Sequence, residues 1–66
     1  MTIKFNKKLY SAKAIKRALA DFRELADFSM VERKDHYSVD IKNAREYSPE
    51  LIKNELGNYI LQLMKR

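Results

Sequence analysis

The chain carries the same helix-start signal twice, and that pair of signals settles where its helices begin. Tyr10-Ser11-Ala12-Lys13-Ala14-Ile15-Lys16-Arg17-Ala18-Leu19 and Tyr47-Ser48-Pro49-Glu50-Leu51-Ile52-Lys53-Asn54-Glu55-Leu56 share Tyr, Ser, Ile, Lys and Leu at the same places, and Phe22 and Tyr59 extend the match. In each, the Ser hydroxyl is positioned to accept from a free backbone N–H of the first turn. The Tyr before it is positioned to pack on the Ile four residues after the Ser, as a hydrophobic staple. The second signal is reinforced, since Pro49 loses no needed donor and Glu50 is an early acid at the positive end of the helix. Any two well-capped helices facing a core would select these residue types, so the pattern marks two helix starts and does not establish a duplication.

The hydrophobic periods between and around these signals supply the remaining elements. Ile3 and Phe5 alternate with Thr2, Lys4 and Asn6, which predicts a short half-buried strand. After Ser11, Ile15, Ala18, Leu19, Phe22, Leu25 and Ala26 fall on one helical stripe. The opposite face holds Lys13, Lys16, Arg17, Asp21, Arg23 and Glu24, with Arg17 and Asp21 spaced as an i,i+4 pair. Beyond Asp27 the period becomes two: Phe28 and Met30, then Tyr37, Val39 and Ile41, alternate with polar residues. A loop centred on Lys34-Asp35 sets Phe28 opposite Ile41 and Met30 opposite Val39, so that all four share one face. Tight two-residue hairpins favour glycine, which is missing there, and a four-residue loop from Arg33 to His36 keeps the same pairing.

The second helix places Ile52, Leu56, Tyr59, Ile60 and Leu63 on its main stripe. Gly57, Leu61 and Met64 lie on a second side, more than about 100° away. Glycine inside a helix costs roughly 1 kcal/mol relative to alanine and often marks the close approach of another element. Gly57, Leu61 and Met64 are therefore candidate partner-binding residues, facing another protein, a peptide or a second copy in a homodimer; the alternative is stray surface apolars near a helix end.

The predicted order is β-α-β-β-α in a single α+β domain spanning residues 1–66. A right-handed crossover followed by a hairpin gives a three-stranded antiparallel sheet of order 2-3-1, with both helices on one face. This arrangement resembles a ferredoxin-like fold lacking its last strand. The first strand is then a sheet edge, open to strand addition or dimerisation.

Composition narrows the chemistry. The chain has no cysteine, one histidine and one glycine. No thiol nucleophile exists, Ser11 and Ser48 are assigned to caps, and His36 sits at the expected hairpin tip, where Asp35 need not face the same way. Scattered carboxylates with one histidine make a poor metal site, and a phosphate loop needs several glycines. The expectation is a non-enzymatic protein with no cofactor and no metal. Absent cysteine fits a reducing cytoplasm, and the opening Met1-Thr2-Ile3-Lys4-Phe5 lacks the apolar run of a leader. No stretch approaches the roughly 18 apolar residues that span a bilayer, so a cytoplasmic protein with no membrane partner is expected.

The net charge of +5 is unevenly placed. Residues 1–20 hold Lys4, Lys7, Lys8, Lys13, Lys16 and Arg17 and no acid, while the rest of the chain is nearly balanced. Lys7, Lys8, Lys13, Lys16 and Arg17 form a candidate anion-binding patch for nucleic acid, another polyanion or an acidic protein surface; the alternative is a solvated, solubilising face. An RNA-stacking platform needs aromatics on the open sheet face. That face is expected to show Thr2, Lys4, Asn6, Ser29, Val31, Arg33, Ser38, Asp40 and Lys42, and no aromatic.

Tyr10-Ser11 followed by Ala14-Ile15, the strand entry Ala26-Asp27-Phe28, and the closing Leu56-Gly57-Asn58-Tyr59-Ile60-Leu61 resemble the small D-type proteins of His-Xaa-Ser peptide systems, which accompany radical S-adenosylmethionine maturases. Leu56, Tyr59 and Leu61 match that family's C-terminal signature, and Gly57 and Asn58 replace its asparagine and aspartate. The resemblance implies an accessory subunit that binds a peptide or an enzyme partner. It carries no catalytic residue to this chain.

Overall fold

A computed structural model of the protein describes residues 1–65. Its elements are β1 (Thr2–Asn6), α1 (Ala12–Asp21), β2 (Asp27–Glu32), β3 (His36–Lys42) and α2 (Pro49–Met64). The three strands form one antiparallel sheet of order β1-β3-β2, compatible with a ferredoxin-like arrangement lacking its last strand. Phe28 pairs with Ile41 and Met30 with Val39, as the alternation requires. The hairpin turns over Lys34-Asp35 without glycine. Arg33 N–H donates to His36 O at 2.9 Å, and neither turn residue adopts a positive φ.

Both helices begin at the serines. Ser11 Oγ accepts from Ala14 N–H at 3.1 Å and Ser48 Oγ from Leu51 N–H at 3.2 Å, each meeting a donor with no partner inside its helix. The tyrosines differ. Tyr10 is half-buried with its ring edge-on to Phe5, centroids 4.9 Å apart, whereas Tyr47 is exposed at 46%. Tyr10 packs against the core cluster that includes Ile15, with Phe5 as a further aromatic contact, and Tyr47 lines a groove with Ile52.

One correction concerns the length of α1. The helix stops at Asp21, with Phe22 as its C-cap, so Leu25 and Ala26 do not extend its stripe. They reach the core from the turn that follows, Ala26 fully and Leu25 partly. A connection this short can leave helical geometry and still keep apolar side chains on the core side, which periodicity alone cannot distinguish. After β3, Asn43 takes a positive φ of 54°, a conformation asparagine tolerates better than most residues. Its side chain donates to Asp27 Oδ2 at 2.8 Å, Arg45 N–H donates to Leu25 O at 3.0 Å, and the Arg45 guanidinium meets Asp27 at 2.9 Å. The segment between β3 and α2 is thus tied to the start of β2.

The core lies between the sheet and the two helices. Ile3, Phe5, Val39 and Ile41 meet Ala14, Ile15 and Ala18 of α1 and Ile52, Leu56 and Ile60 of α2, all buried. The helices run antiparallel. Phe22 stacks tilted on Tyr59 at 5.2 Å, and the Tyr59 hydroxyl donates to Asp21, which also receives Arg17 at 3.3 Å. The Tyr59 bond first, and Arg17 with it, holds the Asp21 carboxyl below its ordinary range. Among the described residues, no helix is long and apolar enough to cross a membrane.

Candidate interaction edge

The position of each helix over the sheet decides which edge is covered. Ala12, Lys16 and Leu19 of α1 share a groove with Met30 and Glu32 of β2, so α1 lies over the β2 side. The opposite flank of α1 meets α2 at Phe22–Tyr59 and at a groove where Ser11, Lys13, Ala14 and Arg17 face Leu63 and Met64. Hence α2 lies over the β1 side. Its Leu51 and Glu55 turn toward the end of α1, sharing a groove with Phe22 and Leu25. On the helical wheel Gly57 falls on the side of α2 away from Leu51 and Glu55, beside Lys53 and Met64, and Leu61 lies about 140° from the buried stripe of Ile52, Leu56 and Ile60.

That flank has no cover. A methyl group placed at Gly57 would have no other element within 4 Å, which corrects the expectation that a neighbouring element of this chain approaches it. Leu61 and Met64 are exposed at 42% and 38%. Gly57 and Leu61 thus share the open flank, while Met64, at the end of the helix, also reaches the groove beside Lys13 and Arg17.

The outer backbone of β1 is unpaired. Met1 exchanges hydrogen bonds with Ile41 (3.0 and 2.7 Å), and Lys7 N–H donates to Asp35 O at 3.1 Å. By the alternation of antiparallel pairing, residues 1, 3, 5 and 7 bond to β3, and Thr2, Lys4 and Asn6 direct their N–H and C=O groups outward. The Asn6 carbonyl accepts from Leu9 and Tyr10 N–H, both at 3.0 Å, and its side chain accepts from Lys8 N–H at 2.7 Å, so the turn after β1 closes that end. Thr2 and Lys4 keep a complete set of free donors and acceptors. The chain thus presents two open surfaces, the unpaired outer edge of β1 and the uncovered Gly57–Leu61 side of α2, each of which sequence reasoning had singled out.

The basic residues are dispersed. Lys7 is drawn to Glu32 at 2.8 Å with its ammonium 5.3 Å from the centre of the Tyr37 ring, and Arg17 is held by Asp21. The Lys7 hydrogen bond and charge, with a smaller contribution from Lys16, hold the Glu32 carboxyl below its ordinary range. Lys8, Lys13 and Lys16 are exposed, on the turn after β1 and on α1. Lys4 projects on the open sheet face near Asn6, Asp35 and His36.

His36 departs from expectation. It is half-buried, and its Nδ1 lies 2.7 Å from Asp35 Oδ1. The His36 bond is the first cause of the lowered Asp35 pKa. The pair stands at the sheet end with Asp35 itself exposed, and no hydroxyl is bonded to the ring. Comparison with protein-family models, curated proteins and solved structures finds no match to this chain. Among the described residues, no three His, Cys, Asp or Glu side chains cluster to hold a metal ion.

Proposed function

We propose that this protein is a non-enzymatic protein-interaction module that takes an extended segment of another protein along the outer edge of β1, with the Gly57 and Leu61 side of α2 as a second contact surface. The observation that carries this reading is the free outer backbone of Thr2 and Lys4, and the α2 glycine, which no other element packs against, adds a second open surface. Strand addition supplies main-chain hydrogen bonds. An accessory subunit of a peptide-modifying system of the radical S-adenosylmethionine type, working in the cytoplasm, fits this reading and the resemblance of Leu56, Tyr59 and Leu61.

Leu61→Glu tests it. The substitution sits on an exposed position, so the fold is expected to persist with a stability change within about 0.5 kcal/mol. The partner that co-purifies with the wild-type chain from its native cell is expected to be lost. Unchanged recovery of that partner, with circular dichroism confirming the fold, overturns the assignment of the flank.

Binding of nucleic acid or another polyanion through Lys7, Lys8, Lys13, Lys16 and Arg17 has less support. Two of the five are engaged by acids, and the alternation of the strands puts no Phe or Tyr on the open sheet face, only the His36 ring at its end, held by Asp35. It requires steeply salt-dependent retention on heparin, which the favoured reading does not.

A further inference from the structure

A further open surface, independent of the β1 edge, lies where α1 ends and α2 begins. Phe22, Leu25, Tyr47, Leu51, Ile52 and Glu55 line a groove of about 350 Å³ there. That volume is at the small end of the roughly 300–1,000 Å³ of ligand sites and suits one or two apolar side chains. All the lining residues but Glu55 are apolar or aromatic, and the core leaves Tyr47 and Leu51 46% and 44% exposed.

The charge around this groove runs against that of the chain, which is +5 overall. Five of the nine Asp and Glu side chains are engaged by a cation or by the His36 ring: Asp21, Asp27, Glu32, Asp35 and Asp40. The other four, Glu24, Glu46, Glu50 and Glu55, are exposed and make no ion pair with a described residue. Glu55 belongs to the groove wall, and Glu24, Glu46 and Glu50 each adjoin a lining residue in the chain. The nearby cations offset only one of them. Arg23 shares the end of α1 with Asp21 and Glu24, Arg45 is committed to Asp27 and the Glu24 carbonyl, and Lys53 lies on the side of α2 away from Leu51 and Glu55. Charges within about 10 Å act together at 0.1 M salt, so the groove is apolar inside and negative around it.

We infer that this groove docks a segment of another protein in which one or two large apolar residues are flanked by lysine or arginine. The apolar side chains enter between Phe22 and Leu51, the cations answer the unpaired glutamates, and the exposed Tyr47 ring offers a face to a guanidinium. A second copy of this chain has less to offer. Its most exposed large hydrophobic, Leu9, follows Lys8 but stands on a tight turn whose Asn6 carbonyl accepts from both Leu9 and Tyr10 N–H. It presents one side chain and no extended run.

The test uses the full chain and three acetylated peptides of equal length, which carry the same two leucines flanked by lysine, by glutamine or by glutamate. Binding is followed by amide shifts in 15N-labelled protein and by anisotropy. The lysine-flanked peptide is expected to bind best, to shift Leu25, Tyr47 and Leu51, and to weaken with added salt. Glu55→Lys should weaken it about fivefold and strengthen the glutamate-flanked peptide. Leu51→Ala, at an exposed position and with the fold confirmed by circular dichroism, should weaken all three. Equal binding of the three peptides at these residues overturns the basic preference. Absence of any shift there up to roughly millimolar peptide overturns the groove as a docking site. Neither result touches the β1 edge, which is read at Thr2 and Lys4. A concentration-dependent dimer mass by light scattering, lost in Leu9→Glu, would assign the groove to a second copy and overturn the choice of partner.

Discussion

The sheet has two edge strands, and they are guarded in different ways. β2 is bordered by charges that cancel. Asp27 at its start is held by Asn43 and Arg45, and Glu32 at its end by Lys7, with Lys16 and Leu19 of α1 close above. Its outward-directed backbone belongs to Phe28, Met30 and Glu32, of which Phe28 and Met30 are half-buried against the helix layer. β1 has no acid of its own and an exposed lysine at its centre, with Asp35 and His36 near it on the open face. An edge with compensated charges and a helix close above is finished. An edge left open but marked by a central lysine is guarded by charge instead, since two such edges repel each other.

The contrast can be tested by substitution, beginning with the largest expected effect. Phe5 of β1 is buried to 3% exposure, whereas Phe28 of β2 is only half-buried. Phe5→Ala is expected to cost about 3–4 kcal/mol in urea unfolding and Phe28→Ala about half as much. Equal losses would mean that β1 is no better anchored than β2, and that a bare edge there reflects loose packing. Next come the helices that lie over each edge. Ser11→Ala and Ser48→Ala each remove one cap bond and are expected to lower stability by about 1 kcal/mol. Only Ser48→Ala, which frays the start of the helix over β1, should also weaken binding at that edge.

The smallest effect is electrostatic and belongs to β2 alone. Glu32 titrates below its ordinary value of 4.5 because Lys7 bonds and attracts the ionised form. A carboxyl lowered in the folded state adds stability above its unfolded value and loses it as pH falls through the folded one. Acid should therefore loosen the Lys7–Glu32 end of the sheet only below about pH 4.5. Lys7→Met should raise the Glu32 midpoint followed by carbon-detected NMR. An unmoved midpoint would show that the pair does not form in solution.

Much of this architecture could be read directly. The serines marked both helix starts because a capping hydroxyl is a local device, and strict alternation over Phe28–Met30 and Tyr37–Val39–Ile41 set the hairpin register. The end of α1 could not be read, because Leu25 and Ala26 keep helical spacing while the backbone has already turned; the core accepts them from either geometry. His36 was misjudged for a related reason. A neighbour in sequence points to the opposite side in an ideal strand, but at a turn Asp35 can swing back to the ring. The candidate surfaces were legible one by one: Gly57 and Leu61 stood out as an unexplained side of α2 and β1 as an edge, because periodicity and strand order are local signals.

The pairing of β1 also has a consequence in time. Its partners on β3 lie thirty or more positions away along the chain, whereas the β2–β3 pairs lie within fifteen. Closing the longer loop carries the larger entropy cost, so the hairpin is expected to form first and β1 to dock late. Amide protection that develops later in refolding at Ile3 and Phe5 than at Val31 and Ser38 would show this order. On the proposed reading, the edge that would take a partner exists only in molecules that have completed the sheet, and an added strand would stabilise that finished state by mass action.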